Sequence, residues 1–268
     1  VDGERVAAFA REAGVQSRFV GYDELAVDTE IAAAEAVGEG RFLVKLAASP
    51  FYAESGGQVS DAGAVTGHGL SARVEEAFKL DADQVLLLAV EEGTPAAGMP
   101  VRAAVDASRR RPTVANHSAT HLLQKSLQKV LGDHVKQRGS AVRPDKLRFD
   151  FSHDRPLSPE ELARVEEMVN EQVVASLPVR IYETSQDEAR KTGAMMLFGE
   201  KYGDVVRVVD MGGWSVELCG GTHVGNTAEV GPFKIVSESS VGQGVRRVEA
   251  VTSGAALTLL FEREQAAI

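Results

Sequence analysis

The chain has 268 residues, a hydrophobic share of 44% and a formal net charge of −10, so it can bury one large core or two modest ones. It carries no basic, apolar leader and no apolar run near the roughly 20 residues of a membrane helix, so neither a targeting peptide nor a membrane span is expected, and the expected setting is cytoplasmic. Cys219 is the sole cysteine, which excludes an intrachain disulfide and suits a reducing compartment, where a thiol serves as ligand or nucleophile.

The opening stretch to about Gly14 reads as the tail of a helix, with Val6, Phe9 and Ala10 on one side. Between Arg18 and Val105, short apolar runs (Arg41–Ala47, Ala72–Phe78, Gln84–Val90, Val101–Val105) are punctuated by Gly and Pro, the texture of a small antiparallel sheet or barrel. Arg109–Pro112 marks a boundary, since Pro112 suits a first helical turn and a helical pattern follows to about Leu131. This predicts a β-rich subdomain over residues 1–108, with a glycine-rich motif, and a second domain over 109–268.

A further helix is predicted from Ser158, where Pro159 and Glu161 complete a capping box and Leu162, Val165, Met168, Val169 and Val173 form the apolar face until Pro178. A shorter helix starts near Ser185, and Val205–Val209, Ser215–Leu218, Phe233–Ser237 and Val245–Val251 read as strands. Helices and strands in blocks favour the α+β class, here a small β-barrel-like N-terminal subdomain followed by an antiparallel sheet layered with helices.

Net charge alone argues against a nucleic-acid partner. The charge is uneven, however: residues 107–153 hold 10 Lys/Arg against 3 Asp/Glu, including the run Arg109-Arg110-Arg111 and the series Lys136, Arg138, Arg143, Lys146 and Arg148. Such a band suits a phosphate backbone; the alternative is a solvated, charge-rich surface.

His117 and His121 lie four apart in the predicted helix, so both rings project from one face, which Gln124 and Gln128 continue. Downstream, Cys219-Gly220-Gly221-Thr222-His223 forms a C-x-x-x-H in which two glycines allow a tight turn that aims thiolate and imidazole inward. Three nitrogens and one sulfur suit zinc. The helix pair lacks the glutamate that follows the first histidine of a metalloprotease, and a thiol hydrolase built on Cys219 and His223 would leave that pair without a task. Four protein ligands usually mark a closed structural zinc, whereas catalytic zinc keeps a position open; the sequence permits both.

Five segments together closely resemble the editing domain of the alanyl-tRNA synthetase family: Pro50–Asp61 (PFYAESGGQVSD), Asn116–Leu123 (NHSATHLL), Leu147–His153 (LRFDFSH), Leu218–Val224 (LCGGTHV) and Arg246–Ala250 (RRVEA). The resemblance runs from roughly Phe19 to Ser253. Threonyl-tRNA synthetases carry a related module, but it differs where Gly220, Gly221 and Thr222 stand here and lacks a segment like Pro50–Asp61. The resemblance implies a hydrolase that removes serine or glycine wrongly esterified to the acceptor end of tRNA(Ala). A pocket for alanine admits the smaller glycine and rejects an added hydroxyl by only about 10²-fold.

It further implies zinc on His117, His121, Cys219 and His223. Thr120 stands at a family position implicated in serine discrimination and Gln137 at one tied to editing activity; the alternative for Thr120 is a hydroxyl bonded back to its own helix. Gly56, Gly57 and Gln58 are expected at the acceptor end, and Arg109, Arg148 and Arg246 at phosphates. Two other readings stand beside this one: a zinc-stabilised tRNA-acceptor-binding module without catalysis of its own, and a free-standing trans-editing deacylase. The synthetase reading is preferred because Val1 opens inside an apparently broken helix and Ala255 to Ile268 form an unfinished helical run, as expected of a piece covalently continuous with a larger synthetase. Such a piece is expected to deacylate and not to aminoacylate.

Overall fold

The computed structural model describes residues 1–195 and 203–266. The chain forms two compact units, one of Val1–Ser55 and Val59–Arg110, the other of Gly56–Gln58 and Arg111–Ile268.

Helix α1 (Gly3–Ala13) opens the first unit. Asp2 caps it by accepting from the Arg5 amide at 2.8 Å, and Gly14 ends it in the left-handed region at φ 63°. Val6 and Phe9 bury against Leu43, Val85 and Leu87.

Eight strands follow: β1 (Arg18–Phe19), β2 (Ala26–Gly38), β3 (Arg41–Leu46), β4 (Ala48–Ser49), β5 (Gly63–Gly67), β6 (Leu70–Leu80), β7 (Asp83–Glu92) and β8 (Pro100–Val105). Six of them close a barrel in the order β2-β3-β7-β6-β5-β8, with every neighbouring pair antiparallel. Closure leaves no unpaired sheet edge in these strands. Side-chain alternation fills the interior: on β6, Leu70, Ala72 and Val74 turn in, and a bulge between Val74 and Glu76 resets the phase so that Ala77 faces in again. Strand β2, AVDTEIAAAEAVG, is rich in helix-favouring residues; pairing with β3 on one side and β8 on the other, with Ile31 fully buried, overrides that propensity.

Helix α2 (Ala107–Leu131) belongs to the second unit from Arg111 onward. It starts five residues before Pro112, because the Asp106 carboxylate accepts from the Ser108 amide and hydroxyl at 2.9 and 2.6 Å. Pro112 thus lies inside the helix and not in its first turn, a correction to the helix start expected there. The unit continues with β9 (Gln137–Val142), β10 (Leu147–Ser152), α3 (Pro159–Val174), β11 (Val179–Ser185), α4 (Gln186–Lys191), β12 (Val205–Met211), β13 (Ser215–Leu218), β14 (Phe233–Gly242), β15 (Val245–Thr252) and α5 (Ser253–Ala266). Ala267 and Ile268, the end of the helical run expected from Ala255, lie outside the described residues.

The strands make two antiparallel sheets, β14-β15-β10-β9 and β11-β12-β13. Leu122, Leu123 and Leu127 of α2 pack with Phe149 and Phe151 of β10 and Val165 and Val169 of α3 in one core. Helix α3 has the full capping box, Ser158 accepting from the Glu161 amide and Glu161 from the Ser158 amide, with Pro159 in the first turn. The architecture is α+β, a closed barrel unit followed by antiparallel sheets layered with helices. Among the described residues no helix is long and apolar enough to cross a membrane.

Candidate metal centre

Helix α2 presents His117 and His121 one turn apart, their rings stacked with centroids 5.4 Å apart and planes 8° from parallel. Asn116 fixes the helix beside them: its amide nitrogen donates to the Arg143 carbonyl at 2.7 Å, and its oxygen accepts from the Thr252 hydroxyl at 2.7 Å. The chain leaves β13 directly into Cys219, and the following loop returns His223 to within 4.5 Å of the His117 ring and 4.9 Å of the His121 ring, centroid to centroid. Cys219 and His223 are half-buried, and the helix pair is buried.

The four donor atoms lie within 4.8 Å of one another. Cys219 Sγ stands 3.4 Å from His117 Nε2 and 3.3 Å from His223 Nε2. A tetrahedral zinc with ordinary bond lengths has donor–donor edges of about 3.4–3.6 Å, which the two Cys219 distances match and toward which the wider pairs would close. A second observation agrees: His121 Nε2 is buried without a hydrogen-bond partner, as a nitrogen aimed at a metal would be.

Every histidine is held at its other nitrogen. His117 Nδ1 lies 2.7 Å from Gln58 Oε1, His121 Nδ1 2.6 Å from Glu217 Oε2, and His223 Nδ1 3.2 Å from Ser118 Oγ. At His117 and His121 the partner is an acceptor oxygen, so Nδ1–H donates outward and Nε2 faces the centre, while the Ser118 hydroxyl suits either tautomer of His223. Gln58 also locks the loop, accepting from the Thr222 amide at 3.0 Å and donating to the Thr222 hydroxyl at 2.9 Å. Ser118 Oγ accepts from the Val224 amide at 3.1 Å.

Gly221 has its own reason. A β-carbon there would overlap the His117 ring. Neither Gly220 nor Gly221 has a positive φ, so at Gly221 close approach, and not the tight turn expected from the sequence, is what requires glycine.

The electrostatics match ligation. Burial pushes the Cys219 thiol up, but His117, His223 and His121 together hold it well below the usual thiol range. Burial lowers His223 to about 3, against the opposing pull of Cys219, so it is a neutral imidazole. Burial also works against charge on His121, yet Glu217 and Cys219 raise its proton affinity well above the ordinary value, which makes it a strongly basic donor. A thiolate and a neutral His223 are species a zinc ion takes, and His121 would release its extra proton on ligation.

The remaining residues singled out in the sequence divide. Thr120 is buried on the same helix and its hydroxyl donates to the Asn116 carbonyl at 2.8 Å. Gln137 starts β9 and donates to Ser140 Oγ at 3.1 Å, on the strand whose Val142 amide bonds the Gly57 carbonyl at 2.7 Å. Gly56 and Gly57 are both left-handed, with φ 57° and 81°. Gln58, expected at the acceptor end, is fully buried, and its amide is occupied by His117 and Thr222.

Arg246, expected at a phosphate, is half-buried and a bidentate partner of Glu238 at 2.5 and 2.7 Å. Within the basic run, Arg109 and Arg111 are exposed, but Arg110 turns inward to Asp61 and the Gly21 carbonyl. Arg148 is half-buried, 3.7 Å from Asp150. Reasoning on the sequence missed Glu217 and Ser118. The signal for Glu217 was strand alternation, since Ser215, Glu217 and Cys219 recur at every second position.

The family described as "Threonyl and Alanyl tRNA synthetase second additional domain" matches residues 206–249, which carry Glu217, Cys219 and His223. The family described as "tRNA synthetases class II (A)" matches residues 4–109, the barrel unit and its leading helix. The alanine–tRNA ligase of Pelotomaculum thermopropionicum is 50% identical over 270 residues, which cover 95% of this chain and 30% of that protein. Those of Desulforudis audaxviator and Thermotoga maritima are 49% and 48% identical, each over 258 residues, covering 93% of this chain and 29% and 30% of theirs. The chain spans about 30% of the length of the curated relatives it matches.

Proposed function

Since the chain belongs to the alanyl-tRNA synthetase family as an editing-type domain, we propose that it hydrolyses the ester of serine or glycine wrongly attached to tRNA(Ala), at a zinc site formed by His117, His121, Cys219 and His223. The observation that carries this reading is the convergence of three imidazole nitrogens and one thiol, all within 4.8 Å of one another, from two distant parts of the chain. Zinc bound there would supply a Lewis acid for the ester carbonyl or an anchor for the substrate's amino group.

The chain's own residues do the rest. Thr120 gives its proton to the Asn116 carbonyl, which leaves its lone pairs to accept from a serine hydroxyl; alanine has no such proton to offer. Gln137, at the start of β9, offers an amide to the substrate's amino group or ester oxygen. The left-handed Gly56 and Gly57 bring backbone close to the terminal adenosine, and Arg109 and Arg148 meet phosphates. The partner is the acceptor end of tRNA(Ala), the parent a larger synthetase, and the setting the cytoplasm.

One feature favours a second reading. Four protein donors form a closed set of the structural kind, which suits a zinc-stabilised acceptor-binding module. Purified protein with zinc is expected to release serine from seryl-tRNA(Ala) while leaving alanyl-tRNA(Ala) largely intact. Binding of both without release would favour the second reading. In Cys219→Ala, metal content and turnover should fall together; turnover that survives loss of metal would make the metal structural only.

A further inference from the structure

The three imidazoles are held at Nδ1 by three different acceptors: a neutral amide at His117, a hydroxyl at His223 and a carboxylate at His121. Only the last carries charge. Glu217 is 3% exposed, and both its oxygens are engaged, Oε2 by His121 at 2.6 Å and Oε1 by the Ser215 hydroxyl at 3.1 Å. A buried carboxylate with so small a set of donors is costly unless positive charge lies beyond them. Across the imidazole from Glu217 is the point where the four donors converge. One thiolate leaves a divalent cation with a net charge of +1 in a largely desolvated site; a second negative charge, the Glu217 carboxylate, brings the assembly to neutrality.

We propose that Glu217 is a positioning residue that orients His121 through Nδ1 and supplies the charge that sets the site's affinity for metal. The proposal rests on the reading of His117, His121, Cys219 and His223 as a metal site. Glu217 is not a base for the attacking water: it touches the far nitrogen of the ring, and the imidazole stands between it and the centre.

Two substitutions separate charge from shape. Glu217→Gln keeps the side chain's size and an oxygen for His121 Nδ1–H but removes the charge. Glu217→Asp keeps the charge and withdraws it slightly. Wild type and both variants are titrated with zinc and with cobalt(II) against a competing chelator, following the thiolate-to-cobalt absorption, and their chelated forms are unfolded thermally.

Glu217→Gln is expected to bind either metal about 10–100-fold more weakly, with the four-coordinate cobalt spectrum retained and unfolding of the chelated protein no earlier than in wild type. Glu217→Asp should recover most of that loss. Affinity of Glu217→Gln within twofold of wild type would overturn the proposal, as would a loss matched by earlier unfolding of the chelated variant. Wild-type protein that takes up neither metal would instead overturn the underlying metal reading.

Discussion

Gly221 lies against the His117 ring with no room for a β-carbon, so the smallest possible substitution there acts on that imidazole and not on the backbone. Gly221→Ala should displace His117 and weaken metal binding on the order of 10–100-fold, with far-ultraviolet circular dichroism unchanged; chelator competition measures the first and the spectrum the second. Thr120→Val removes the hydroxyl at nearly constant volume. A lost hydrogen bond of about 1 kcal/mol predicts roughly fivefold to tenfold slower release of serine from seryl-tRNA(Ala), while glycine release stays within about twofold, read in parallel deacylation assays. At this scale the donors were legible because the chain has one cysteine with a histidine four residues on and an H-x-x-x-H elsewhere. Their partners were not. Gln58 lies 59 positions from His117, and whether a buried amide meets an imidazole or solvent is decided by packing that no local spacing encodes.

Among the elements, α3 follows its sequence most closely, because its stop and start signals are local: Ser158, Pro159 and Glu161 at one end, a burial stripe of Val165, Met168, Val169 and Val173 along it. Ser158→Ala should cost about 1 kcal/mol in denaturant unfolding of the protein. Glu161 adds a pH dependence. The Arg155 hydrogen bond, then that from the Ser158 amide, lowers its carboxyl from the ordinary 4.5 to about 2. A depressed carboxyl stabilises fully above its unfolded value and is lost as pH falls, so this contribution is complete above about pH 4.5 and disappears toward pH 2. Glu161→Gln should flatten acid destabilisation in that window, and stability against pH for both proteins tests it. Elements with non-local causes were harder to read. Strand β2 has the composition of a helix, and β5 is a five-residue strand, GAVTG, in which Gly63 packs against the Ala104 carbonyl with no space for a side chain; both owe their form to the strands beside them. The start of α2 was misread for the opposite reason, since a proline tolerated inside a helix looked like its first residue.

At the scale of the molecule, the acidic total conceals a basic segment, yet fewer of its charges face solvent than their number suggests. Arg110 is buried on Asp61, and Lys146 is paired with Glu249 at 2.8 Å. Arg109, Arg111, Lys136, Arg138 and Arg143 remain exposed. If Arg148 meets one phosphate, Arg148→Ala should weaken tRNA binding and reduce the slope of log K against log salt by about 1, measured by titration at several salt concentrations. The α+β class and the β-rich first part were readable from strand-length runs and turn residues. Closure of six strands was not, because the pairing of β2 with β8, between residues up to 78 positions apart, leaves no mark on either strand.

Because Gln58 arrives from upstream of α2, the segment from Arg111 onward is not self-sufficient, although it contains every donor atom. In a shortened gene product starting there, even with cysteine and histidines brought together, His117 would be able to hold its proton on either nitrogen. A fraction of molecules would then turn an N–H toward the metal. Shuffling or truncation at that joint would deliver a complete inventory of donors with one of them no longer told which way to face.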